Sequence, residues 1–206
     1  MKDKYDIKTI YHNRCVVIPA EQLAVAGIDK GDYAILHYIQ YPEHGPGSID
    51  FNAITPMPPW AAVNGDAMRE CWCMKNWKAP ENAGGLTEGV GTYDGGNTIE
   101  FDTLGGDVRD LTRKLSMMFP HLDFAVDYLW ASEDIGKDSG SVTFKTGEQT
   151  YEYIPTPGSD AAYELAFDIF STDAAAHGLV FDDELGTYRY GGTLLSHGEV
   201  RHEQEE

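Results

Sequence analysis

The stretch TIEFDTLGGDVRDLTRKLSMMFPHLDFAVDYL, from Thr98 to Leu129, decides the fold. Val108, Leu111, Leu115 and Met118 recur at three- and four-residue spacing and line one face of a predicted helix, with Arg109, Arg113 and Lys114 on its other faces. Asp107 follows Gly105 and Gly106 and is placed to cap that helix, Asp110 adds charge to the first turn, and Pro120 ends the run. Ile99 and Phe101 alternate with Glu100 and Asp102, and Leu122, Phe124, Val126 and Tyr128 alternate with Asp123, Ala125 and Asp127. A period of two predicts strands with one buried face. The helix between them supplies enough chain for a right-handed parallel crossover.

Downstream, Ser132 to Gly140 reads as a polar loop, and Ser141 to Pro155 as a hairpin, with Val142 and Phe144 answered by Tyr151, Tyr153 and Ile154. Ala162, Leu165, Ala166, Ile169 and Phe170 make one face of a helix predicted over Asp160 to His177, with Gly178 just past its end. Leu179–Phe181 and Thr187–Tyr190 supply a last strand or hairpin, and residues 194–206 form an acidic, solvated tail.

Upstream, RCVVIP (Arg14 to Pro19) and YAILHYI (Tyr33 to Ile39) are short β-rich runs, separated by a brief helix or turn at Glu21 to Ile28 and followed by a Pro/Gly loop at Tyr41 to Gly47. SIDFNAITPMPPW, Ser48 to Trp60, alternates and ends in a proline cluster, which predicts an extended crossing that packs Met57 and Trp60 onto the core. MRECWCMKNW, Met68 to Trp77, brings two tryptophans and two cysteines together, with Cys71, Trp72 and Trp77 as large core or interface residues. The glycine-rich GVGTYDGG, Gly89 to Gly96, precedes a strand, whereas a dinucleotide loop must follow one and open a helix. Gly105 and Gly106 do open a helix, but Asp107 and Asp110 in its first turn would repel a phosphate.

A chain of 206 residues, 42% hydrophobic and 12% aromatic, can bury one ordinary core. No apolar run approaches the roughly 18 residues a membrane span needs, and the opening MKDKYDIKTIYHN has no apolar signal region, which predicts a soluble cytoplasmic protein. Cys15, Cys71 and Cys73 are too few for a disulfide framework and too poorly spaced for a zinc site, so reduced thiols and no metal are expected. His37 and His44 are isolated, and His197 and His202 in the tail are expected to bind added metal only adventitiously. The net charge of −19 argues against binding a nucleic-acid backbone or an anionic membrane directly. It is concentrated in the second half: residues 1–100 hold 13 acidic and 8 basic residues, and residues 101–206 hold 21 and 7.

From Thr98 the order strand, helix, strand, hairpin, helix, strand is that of a split βαβ, ferredoxin-like α+β sandwich, an antiparallel sheet with two helices packed on one face. The expected organisation is an N-terminal β-rich segment, 1–66, packed as an extension on a main domain, 67–193. With the DFN…PMP element (Asp50 to Pro58), the W…NW element (Trp72 to Trp77) and the FP…Y element (Phe119 to Tyr128), the chain resembles the YubB-type family of plasmid and phage proteins over about residues 48–175. It departs from that family at Lys78-Ala79-Pro80, where Gly-Thr-Lys is usual. The resemblance implies a C-terminal ferredoxin-like domain and an accessory role on mobile elements, with no activity or cofactor to carry over; three cysteines cannot supply the four ligands of an iron–sulfur cluster.

No GxSxG, HExxH, Walker-type or paired Cys/His motif occurs, and carboxylates such as Asp123 and Asp127 read as the wet face of a strand, so an enzyme of unknown class is the weakest expectation and no catalytic or cofactor-binding residue is assigned. A non-enzymatic interaction module, for a protein partner or a second copy, is the favoured expectation, with Trp72, Trp77, Trp130 and Tyr151 as its candidate surface. The alternative is an acidic DNA mimic that occupies a DNA-binding protein, which requires a continuous stripe of carboxylates.

Overall fold

The computed structural model describes residues 9–19, 49–83, 98–118 and 124–191. In chain order these form β1 (Ile10–Pro19), three helices α1 (Phe51–Ile54), α2 (Pro59–Val63) and α3 (Asp66–Asn76), then β2 (Thr98–Leu104), α4 (Arg109–Met118), β3 (Phe124–Ser132), β4 (Ser139–Lys145), β5 (Glu148–Tyr153), α5 (Asp160–Phe170), a 3-10 turn at Ala175–His177, β6 (Leu179–Asp182) and β7 (Thr187–Tyr190). The protein is mixed α+β, with a five-stranded antiparallel sheet in the order β2-β1-β3-β4-β5 and a separate β6-β7 hairpin.

The central βαβ unit forms as its periodicity predicts. β2 and β3 both pair antiparallel with β1, so they run parallel to each other with β1 between them. Asp107 accepts from the Arg109 backbone N–H at 3.1 Å, which fixes the start of α4 beside the expected cap. Gly105, at φ +85°, turns the chain off β2 in a conformation that a Cβ would strain.

Four expectations are corrected here. The first concerns domain organisation: Arg14 to Pro19 belongs to the strand at the middle of the sheet, with Cys15 opposite Ile99 on one side and Tyr128 on the other. A boundary at residue 66 therefore divides one packing unit. A strand inserted between two others completes both ladders, and removing it would leave β2 and β3 with unpaired backbone groups.

The second correction concerns the helices, which cover opposite faces. Val126, Tyr128, Val142 and Phe144 share a buried cluster with Leu111 and Leu115 of α4 and with Phe51, Cys73 and Trp77. Ala131, one step out of phase with Tyr128 and Trp130, is buried instead with Ala166 and Ile169 of α5, beside Leu129. The polar half of the alternation is accordingly not a wet face: Asp102 is buried, and it faces His12.

The third is the end of the ferredoxin-like order. α5 stops at Phe170, where Ser171 adopts the left-handed conformation, and β6 then pairs with β7 instead of returning to the main sheet.

Residues 51–63 also differ from the predicted extended crossing. Asp50 caps α1 by accepting from Asn52 N–H, and Pro59 sits at the first position of α2, where its missing N–H costs nothing. The prolines thus separate two short helices. Met57 packs on the core as expected, but Trp60 remains 53% exposed. Glu21–Ile28, Tyr33–Ile39, Tyr41–Gly47, the Gly89–Gly96 loop, the acidic tail and His37, His44, His197 and His202 lie outside the described residues. Among the described residues no helix is long and apolar enough to cross a membrane.

Candidate functional site

The four aromatics expected to share a surface lie in three places. Trp77 is buried, with its ring edge-on to Phe51 at 5.7 Å and its Nε1 donating to the Thr55 carbonyl at 3.0 Å. Trp72 is half-buried and packs edge-on against Trp77 at 5.3 Å. Trp130 is buried under the opposite end of the sheet, stacked on Tyr128 at 5.5 Å with the Arg109 guanidinium 4.5 Å from its ring centroid. Only Tyr151 is exposed, at 53%. Trp77 and Trp130 are therefore corrected from surface to core: their strand and helix phases point them into the cluster under α4, which aromatic content alone does not reveal.

Two polar assemblies are buried within the sheet. On the α4 side, Asn13 Nδ2 donates to the Phe101 carbonyl at 3.1 Å and to Thr103 Oγ1 at 3.0 Å, while its Oδ1 accepts from the Tyr128 hydroxyl. That hydroxyl in turn accepts from Val108 N–H at 3.0 Å, tying β1, β2, β3 and the start of α4 together. Burial pushes the Tyr128 phenol well above its ordinary range, so it stays a protonated donor. On the α5 side, His12 Nδ1 and Asp102 Oδ1 lie 2.8 Å apart and the imidazole stacks on Phe170 at 4.9 Å. The Asn13–Tyr128 assembly uses its polar groups in joining elements, and the His12–Asp102 contact joins β1 to β2.

A hollow of about 210 Å³ lies between α1 and α3, lined by Asn52, Met57, Arg69, Cys73 and Trp77. It falls below the several hundred Å³ usual for small-molecule sites. Its amide oxygens already serve the backbone: Asn52 Oδ1 accepts from Met57 N–H and the neighbouring Asn82 Oδ1 from Phe51 N–H.

The exposed apolar surface gathers instead at the sheet edge. Among the described residues β5 pairs with β4 alone, and all six residues of β5 are exposed. Tyr151 lies opposite Thr143 and Tyr153 opposite Ser141, which puts both tyrosines on the α5 face; Glu152, opposite Val142, points to the α4 face and reaches Arg109 at 3.2 Å. The register shifts between Thr143 and Phe144, leaving Thr150 as an extra residue whose hydroxyl donates to the Thr143 carbonyl. Tyr153 (40%) and Ile154 (50%) extend the exposed strip begun by Tyr151. Alternation over Tyr151, Tyr153 and Ile154 marked the hairpin, but which hairpin strand is outermost depends on pairings with β3 and β1, more than a hundred residues apart in sequence for β1.

Carboxylates in the second half are interleaved with partners. On α5, Asp160, Glu164 and Asp168 follow one another at four-residue spacing, but Asp168 pairs with Arg14 at 2.5 Å and Glu164 accepts from the Tyr188 hydroxyl. Asp182 is held by Arg189 at 2.5 Å, and Asp134 by Lys137 at 2.8 Å.

The cysteines are free, with Cys71 exposed and Cys15 and Cys73 buried. Thiol labelling of the native chain should therefore show one fast site, Cys71, with the other two released only on unfolding; a fast second site would contradict the packing of α3 or β1. Burial, with Asp127 nearby, pushes the Cys15 thiol from 9.0 up to about 12. The unfolded chain thus loses that proton first. Stability from this group is full below pH 9 and falls as pH rises toward 12, by about 1.4 kcal/mol per pH unit. Cys15→Ala should flatten that alkaline decline, measured by denaturant titration at several pH values.

No family model, no curated protein and no solved structure matches this chain.

Proposed function

We propose that this protein is a non-enzymatic interaction module that takes up an extended segment of a protein partner along the β5 edge. One observation carries it: among the described residues the outermost strand of the sheet has all six residues exposed and presents Tyr151 and Tyr153, with Ile154 just beyond, beside a backbone edge that no other described strand pairs. Edge N–H and C=O groups supply affinity by adding a strand, and large side chains beside them supply specificity. An accessory role of the YubB type is compatible with the packing of its motif elements, since Phe51 of the DFN element and Trp77 of the NW element touch in the core. The DNA-mimic alternative is less favoured, because Arg14 and Tyr188 interrupt the carboxylate row of α5.

The double variant Tyr151→Ser/Tyr153→Ser alters exposed residues only and should leave the thermal midpoint nearly unchanged. Capture of a host-lysate partner by the tagged chain should drop by about tenfold or more. Undiminished capture by a folded double variant would remove the edge from the account.

A further inference from the structure

Resting on the edge reading above, we infer that the segment β5 accepts is a basic one, about six residues long, in which Lys or Arg alternates with apolar side chains. Its length follows from the ends of the edge. Thr146 and Gly147, both at positive φ, turn the chain at one end, and Pro155, which has no N–H, follows the strand at the other. Six strand residues span about 20 Å.

The alternation follows from the two faces of β5. A paired strand places successive side chains on opposite faces, so on the Tyr151–Tyr153 side of the bulge every second residue meets Tyr151 and Tyr153 on the α5 face. The residues between them meet Glu152 on the α4 face. Glu152 is 40% exposed and gives one oxygen to Arg109, whose other bonds go to both oxygens of Asp107, and its second oxygen has no partner among the described residues. Beyond the Thr150 bulge, Glu148, opposite Lys145, adds an exposed carboxylate on the α5 face at the turn end of the edge.

The charge argues against a second copy as the occupant. Self-pairing along β5 would bring together two chains that each carry −19 and two edges that each expose Glu148 and Glu152. A basic strand removes that repulsion and is drawn in by the same field.

The test uses the full chain, isotope-labelled, and three capped hexapeptides: alternating Lys and Val, the same composition with lysines and valines in separate blocks, and alternating Glu and Val. Backbone amide shifts of Glu148 to Tyr153 are followed during titration. The alternating basic peptide should move these amides, bind at least about tenfold tighter than the acidic one, and weaken as ionic strength rises. Glu152→Gln should weaken it up to about fivefold. If the acidic and basic peptides move the β5 amides with equal affinity, the charge inference is overturned while the edge remains a docking site. If the block peptide binds as tightly as the alternating one, the inferred pairing is overturned. If no peptide moves these amides, the edge reading fails and the inference fails with it.

Discussion

Replacing Trp130 by alanine is expected to lower the free energy of unfolding by about 3–5 kcal/mol, the largest loss at any position named here. Its ring is buried, stacked on Tyr128 at 5.5 Å and covered by Arg109. Gly140, opposite it on β4, leaves room for the indole, since a Cβ there would lie 2.2 Å from it. Neither neighbour can collapse into the space an alanine leaves: the glycine has no side chain to move, and the Tyr128 hydroxyl is fixed by Val108 and Asn13. Trp130→Phe sharpens the expectation. The indole Nε1 is buried without a hydrogen-bond partner, so phenylalanine removes an unsatisfied donor while keeping an aromatic ring. Urea unfolding should place Trp130→Phe much closer to the parent than Trp130→Ala. A loss below about 1 kcal/mol for the alanine variant would mean that Trp130 is exposed in solution.

Asn13→Ala is expected to cost about 3 kcal/mol or more, although it removes a small side chain. Its amide satisfies the Phe101 carbonyl and Thr103 Oγ1 and accepts from Tyr128, all within a buried region. Each orphaned group costs about 1–3 kcal/mol. Tyr128→Phe should cost about 1–3 kcal/mol by depriving Asn13 Oδ1 and Val108 N–H of one shared partner. The double variant should lose less than the two single losses added, because both strip the same hydrogen bond. Additive losses would show that the two side chains act independently.

The local elements were legible because their signals are local. Leu111 and Leu115 fall on the buried side of α4, and the β4–β5 hairpin turns at Thr146 and Gly147 where the sequence places a turn. The pairing of strands was not legible. Nothing in Arg14 to Pro19 says that it lies between β2 and β3, because that depends on contacts made about 90 and 115 residues away. The misplaced helix layer has a related cause. Asp102, Asp127, Leu129 and Ala131 alternate with larger apolar residues and resemble a solvated face, yet Asp102 is buried by pairing with His12 and Ala131 by its small size against Ala166. Alternation identifies the two faces of a strand; it does not say whether the less apolar face is covered.

The same limit governed the candidate site. Four aromatics were visible in sequence, but burial separates Trp77 and Trp130 from Tyr151. Tyr153 and Ile154 were visible only as hairpin residues. They join Tyr151 as a surface because no described strand lies beyond β5 in the sheet.

Hydrogen–deuterium exchange of the full chain, alone and with its captured partner, locates the docking strand. Strand addition at the edge predicts new protection concentrated in Glu148 to Tyr153, with little change in β1, already paired on both sides. A bound complex in which β5 exchanges as fast as in the free chain would contradict it.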